Sequence, residues 1–84
     1  MAIKRNTYRY RLKDGNKIVY IGTTNDPERR AREHLQDRHK FKTFEVVGSK
    51  VKEDTAKKWE DEQLKIYRLS HRGKNPKYNK GDSG

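Results

Sequence analysis

From Thr7 to Leu12 the chain alternates, with Tyr8, Tyr10 and Leu12 on one side and Thr7, Arg9 and Arg11 on the other. A period of two predicts a strand with one face against a core. Asp14-Gly15-Asn16 breaks the alternation with residues that accept the backbone of a tight turn. Ile18-Val19-Tyr20-Ile21-Gly22 then runs apolar without alternation, which predicts a second strand covered on both faces. Gly22 is expected to end it, where the backbone turns or comes close to another group.

The period then lengthens. Asn25 or Asp26 can cap a helix, Pro27 suits its first position, and Glu28 suits the positive end of its dipole. This helix is expected to run to about Arg38. Its apolar content is Ala31 and Leu35, with Arg30 and His34 four apart beside that stripe, at the edge of a core and facing a cleft. Phe41 to Val47 predicts a third strand, closing at Gly48-Ser49. A second helix is predicted from near Asp54-Thr55 to about Leu69, with Ala56, Glu60, Leu64 and Tyr67 on one stripe and Trp59 and Ile66 beside it. An acid on that inward stripe is unusual, whereas Glu62, roughly 200° around from it, is expected in solvent. From Ser70 the chain is polar and basic, and Pro76-Lys77-Tyr78-Asn79 is its one segment with an ordered pattern. There is no internal repeat and no linker. The expectation is a single small α/β (α+β) domain over residues 1–80, a three-stranded antiparallel sheet flanked by helices, with 81–84 as a flexible tail.

Composition narrows the class. Leu, Ile, Val and Phe make up about 17% of the 84 residues, close to where disorder sets in for a chain of net charge +10. Five Tyr, two Phe and one Trp weigh the other way, because each ring carries a large apolar area. Without cysteine there is no disulfide framework, thiolate nucleophile or cysteine zinc site. No apolar run approaches the ~20 residues that span a bilayer. A soluble intracellular protein, cytoplasmic or nucleoid-associated and not membrane-bound, is therefore expected. The positive charge lies at the ends: residues 1–20 and 65–84 each hold six Lys or Arg against one acid, and the middle is balanced. Two cationic arms on one side make a track for a polyanion, though they also fit a merely solubilising surface. Arg9, Arg11, Lys17, Arg29, Lys74 and Lys77 are the candidate nucleic-acid contacts, while His39 and His71 are expected in solvent.

Tyr10, Tyr20, Arg30 and His34 are the candidate chemistry. One hairpin and one helix can gather two phenols, a guanidinium and an imidazole into a patch suited to an anionic substrate and proton transfer. Taken alone, Tyr10 and Tyr20 fit cross-strand aromatic packing better than chemistry. Glu60 could pair with Lys57, and Asn79 could simply close a turn.

At these residues the chain resembles the GIY-YIG nuclease family over nearly its whole length, from about Tyr8 to Asn79. The first family motif matches through Tyr10, with Tyr8 in place of its glycine, and the second is intact as Tyr20-Ile21-Gly22. Thr23 to Arg30 resembles the family's loop into its catalytic arginine, His34 matches a histidine four residues on, and Ala56-Lys57-Lys58-Trp59-Glu60 matches the Ala-x-x-x-Glu step. Asn79 within Pro-Lys-Tyr-Asn matches the late asparagine. The resemblance implies a metal-dependent endonuclease that hydrolyses DNA by water attack without a protein–phosphate intermediate. It makes Glu60 the metal ligand, and sparse oxygen ligation of that kind suits Mg²⁺ or Mn²⁺. Arg30 would hold the phosphate. Tyr10 would orient or deprotonate the water, its phenolate favoured by nearby positive charge. Tyr20 would contact the phosphate or water, His34 would assist Tyr10, and Asn79 would brace the site. Low intrinsic sequence specificity is expected, with DNA as partner and RNA not excluded. One such site cuts one strand, so a monomer nicks and a dimer or protein partner enters for double-strand cutting or targeting. The alternative is a non-catalytic DNA- or RNA-binding module of the same fold.

Overall fold

The computed structural model describes residues 5–79, so the tail expected at 81–84 lies outside the described residues. In chain order the elements are β1 (Thr7–Asp14), β2 (Lys17–Thr24), α1 (Pro27–Gln36), β3 (Thr43–Val51) and α2 (Glu53–Ser70). The strands form one sheet in the order β2-β1-β3, antiparallel at both junctions. This is the expected α+β architecture. No helix among the described residues is long and apolar enough to cross a membrane.

The hairpin turns at Gly15, whose φ of 68° is of the kind glycine tolerates. Leu12 pairs with Tyr20 and Lys13 with Ile18, so Val19 is an extra residue on β2, a bulge. Gly22 does not end β2, which continues to Thr24; it marks a close approach instead, described below. Gly48 likewise does not close β3. With φ of 69° it forms an irregularity between the Arg9–Val47 and Thr7–Val51 pairs, and the strand resumes to Val51.

Asp26 caps α1 as expected, its carboxylate accepting from the Arg29 N–H at 3.2 Å. The helix ends at Gln36, two residues short of Arg38, because Arg38 takes a left-handed conformation with φ of 62°. That turn lets the His39 N–H reach back to the His34 carbonyl at 3.0 Å, the six-to-one bond of a Schellman closure. It also folds His39 under the helix it has just left.

Tyr10, Leu12, Val19, Ile21 and Ala56 are buried, with Tyr20, Phe41, Phe44 and Tyr78 packed against the cluster. The helix α2 lies against β1 and β2. Its stripe is as expected in outline: Ala56 is fully buried, Trp59, Glu60, Leu64 and Tyr67 are half-buried, and Glu62 is exposed. Ile66, expected beside the stripe, is exposed. On α1 the expected polarity is inverted. Leu35 is 60% exposed while His34, placed by the sequence at the core's edge, is 1% exposed. Tertiary hydrogen bonds to His34 outweigh the burial of one leucine. The outer edge of β2 is covered by the chain's last described residues: the Tyr78 N–H donates to the Val19 carbonyl at 2.8 Å, and Pro76 is buried beneath them.

Candidate active site

Tyr10 is the centre of the site. It stands on the middle strand with no exposed surface, its ring parallel to Phe44 (centroids 4.5 Å apart) and to Tyr20 (5.8 Å). Its hydroxyl lies over Gly22, where a Cβ would come within 2.9 Å of that oxygen and 2.6 Å of the Tyr20 ring. Glycine is required there by space, since its φ is not in the left-handed region.

The Tyr10 hydroxyl is 2.7 Å from Nε2 of His34, which lies edge-on to Tyr20 at 4.5 Å. Burial, then the charges of Arg30 and His39, lower the His34 pKa to about 4, so the imidazole is neutral at neutral pH. Asp37 and Glu33 oppose that shift without reversing it. On the far side, Nδ1 of His34 is 2.8 Å from Nδ1 of His39. Both contacts are satisfied with Tyr10 donating to Nε2 and His34 donating from Nδ1 to His39, and equally with the two directions reversed. His39 in turn stacks on Tyr78, with centroids 4.3 Å apart, and the Tyr78 hydroxyl accepts from the Lys40 N–H. The expectation that His39 is solvated is thus overturned: it is half-buried and closes a Tyr10–His34–His39 chain.

Arg30 reaches the same point from α1. Its Nε donates to the Tyr10 hydroxyl and its Nη2 to the Tyr20 hydroxyl, both at 3.3 Å, and its Nη1 to Glu33 at 2.9 Å. Burial works against the guanidinium charge, but the bonds to Glu33, Tyr20 and Tyr10 outweigh it and keep Arg30 protonated. Arg30 favours the Tyr10 phenolate as expected, but without a metal this is not enough: burial, reinforced by Tyr20, outweighs it and raises the Tyr10 pKa strongly. Tyr10 is a neutral phenol in the free protein.

Asn79 is placed as a brace. Its Oδ1 accepts from the Ile21 N–H at 2.8 Å and its Nδ2 donates to the Ile21 carbonyl at 2.9 Å, fixing β2 one residue from Tyr20. Glu60 is not hydrogen-bonded into this cluster. It is half-buried on α2 and, among the described residues, has no hydrogen bond or ion pair, so the alternative pairing with Lys57 is not formed. Desolvation raises its pKa, and Lys57 only partly offsets this. Such a carboxylate gains from a nearby cation. No group of three or more His, Cys, Asp or Glu among the described residues could hold a metal ion, so a metal here would take Glu60 plus water or substrate oxygens. Mg²⁺ and Mn²⁺ accept that donor set.

Of the six candidate surface cations, Arg11 is bound to Glu45 at 2.8 Å and Arg29 lies 3.7 Å from Glu33. Arg9 lies across Gly48, where a Cβ would sit 2.6 Å from its Nη2, and its buried Nε has no partner. Lys17, Lys74 and Lys77 fall together on a groove along β2.

Comparison with known proteins agrees with this geometry. The family model described as the GIY-YIG catalytic domain matches residues 4–75, which include Tyr10, Tyr20, Arg30, His34 and Glu60 but stop short of Asn79. No curated protein and no solved structure gives a significant match. With two phenols, an arginine and a histidine joined on the strands and helix that the matched segment supplies, the chain belongs to the GIY-YIG nuclease family.

Proposed function

We propose that the protein is an endonuclease that hydrolyses DNA phosphodiester bonds by attack of water, with Mg²⁺ or Mn²⁺ held by Glu60 and with low intrinsic sequence specificity. The observation that carries this reading is the Arg30 guanidinium donating to both phenol oxygens while Tyr10 faces a neutral His34. At 3.3 Å these Arg30 bonds are long, and a phosphate oxygen, which makes shorter charge-assisted bonds, competes well for the same N–H groups.

Tyr10 is the proton conduit. A water at its hydroxyl gives up a proton to Oη as Tyr10 passes its own proton to Nε2 of His34, leaving hydroxide to attack phosphorus as the bond to the leaving sugar oxygen breaks and that oxygen takes a proton from solvent. Tyr10 is neutral before and after, so its raised pKa is no obstacle. The contact between Nδ1 of His34 and His39 holds the imidazole with Nε2 towards Tyr10, which makes His39 part of the same machinery. Arg30 holds the phosphate while negative charge accumulates. A bound divalent cation would neutralise charge on the phosphate and the leaving oxygen. Asn79 holds β2, and so Tyr20, in register.

The test is nicking of supercoiled plasmid in Mg²⁺ or Mn²⁺. Wild type is expected to nick, and Glu60→Ala to lose nicking while binding DNA nearly as wild type. Glu62→Ala is expected to cut normally. Absence of nicking at any salt, with DNA or RNA still bound, would leave a non-catalytic binding module of the same fold.

A further inference from the structure

Asn75 and Lys77, with the strand they follow, line a groove of about 500 Å³, in the range of sites that take small ligands, roughly 300–1,000 Å³. Four of its lining residues, Lys17, Arg72, Lys74 and Lys77, are cationic, and none is acidic. Tyr67 and His71 also line it, their rings parallel within 1° and 3.7 Å apart. The His71 ring is fixed: its Nδ1 donates to the Tyr67 carbonyl at 2.8 Å and lies 2.9 Å from the Ser70 hydroxyl. The groove is built by the turn after α2, where Arg72 (φ 58°) and Gly73 (φ 80°) swing the chain back along β2.

We propose that this groove binds a single DNA strand, phosphates on the four cations and a base stacked on the exposed His71 ring. The reading rests on the nuclease assignment above and names where the strand flanking the cut is held. A cationic track beside aromatic rings is the general form of a single-strand site, because the backbone supplies the charge and every base has a π-face. A solubilising cluster would need neither a groove nor a ring clamped in place. A run of side-chain contacts joins the groove to the catalytic cluster. The Lys77 Nζ sits over the Tyr78 ring at 5.4 Å, and Tyr78 stacks on His39. Lys77, which lines the groove, is thereby linked to the Tyr10–His34–His39 chain through Tyr78.

The test is fluorescence anisotropy of a labelled short oligonucleotide, single-stranded or duplex, with metal chelated, across a salt series. Plasmid nicking is measured separately on the same proteins. Neutralising three phosphate-binding lysines removes about 0.7 of a log–log salt slope each for a single strand. The variant Lys17→Gln/Lys74→Gln/Lys77→Gln is thus expected to flatten the slope by about 2 and to weaken binding about twenty-fold at 200 mM salt. His71→Ala is expected to weaken single-strand binding roughly five- to a hundred-fold with the slope unchanged, the loss of one stacked base. Lys74→Arg/Lys77→Arg, which keeps the charge, should bind as wild type and guards against an unfolded triple variant. Wild-type affinity and slope in both the triple variant and His71→Ala would overturn the proposal. Equal binding of polyglutamate, or duplex binding that His71→Ala weakens as much as single-strand binding, would also overturn it. If wild type fails to nick but the groove variants behave as described, the nuclease assignment fails and the groove stands.

Discussion

Acidifying the protein from pH 7 to pH 5 is expected to destabilise it by about 2 kcal/mol through His34 alone. The His34 pKa falls from 6.5 to about 4 on folding. Between those values the unfolded chain binds a proton that the folded protein refuses, so stability is fully present above pH 6.5 and drains away as pH falls towards 4. With one pKa unit equal to 1.36 kcal/mol, the loss is about 2 kcal/mol by pH 5 and about 3 kcal/mol by pH 4. For a domain of this size total stability is on the order of 4–12 kcal/mol, so the effect is large. Ordinary carboxylates stay ionised in the pH 7 to 5 interval, and Glu60, whose pKa burial raises, acts with the opposite sign and is common to wild type and the control variant below. Urea unfolding followed by circular dichroism at the two pH values measures it. The same pair of measurements on His34→Gln, which keeps an acceptor for Tyr10 but does not titrate, should show a much flatter response. NMR of the wild-type imidazoles supplies the independent check that one ring stays neutral at pH 5. Equal losses in wild type and His34→Gln, or no wild-type loss at all, would refute the burial argument.

Gly22→Ala forces a Cβ to within 2.6 Å of the Tyr20 ring and 2.9 Å of the Tyr10 hydroxyl. It should cost about 1–3 kcal/mol in urea unfolding and lower any nicking activity more than DNA binding. Asn79→Ala leaves the Ile21 N–H and carbonyl without their partner. A loss of about 1–3 kcal/mol is expected, with faster hydrogen exchange concentrated at the Ile21 amide. Glu60→Gln removes a carboxylate whose charge is disfavoured by burial, so in chelator it should be at least as stable as wild type. Mg²⁺ or Mn²⁺ should raise the wild-type Tm and leave that of Glu60→Gln unmoved, since only a ligand that binds the folded state shifts the midpoint.

Periodicity made the elements legible, because strand and helix each impose their own spacing on apolar residues. Asp26-Pro27 fixed the start of α1 for a local reason, a side chain capping its own helix. The misplacements share a different cause. Leu35 and His34 exchanged places because hydropathy cannot register a 2.7 Å bond to a tyrosine 24 residues away. Gly48 looked like a strand end because a bulge and a terminus use the same residue. His39 was invisible as a site residue because its approach to His34 depends on a left-handed Arg38, and arginine carries no signal for that conformation. The one available hint was a histidine placed just past the end of a helix that already carried another. Tyr10, Tyr20, Arg30 and His34 were readable as a set, whereas the protonation state of Tyr10 was not, since it depends on how deeply the ring is buried. Three of the six candidate cations fell on one groove, but only the turn after α2 brings residues 17, 74 and 77 together.

The carboxamide of Asn79 offers Ile21 one acceptor and one donor, the same pair that a neighbouring strand's peptide group would present. Together with the Tyr78 N–H bond to the Val19 carbonyl, it terminates the sheet on the β2 side. An uncovered β2 would be an apolar template open to a second copy, and intermolecular strand pairing is how such edges aggregate. A side chain assigned to bracing a catalytic tyrosine is therefore also a safeguard of colloidal behaviour. Asn79→Asp, which keeps the acceptor and loses the donor, would leave the Ile21 carbonyl on that edge unpaired at almost no change in size.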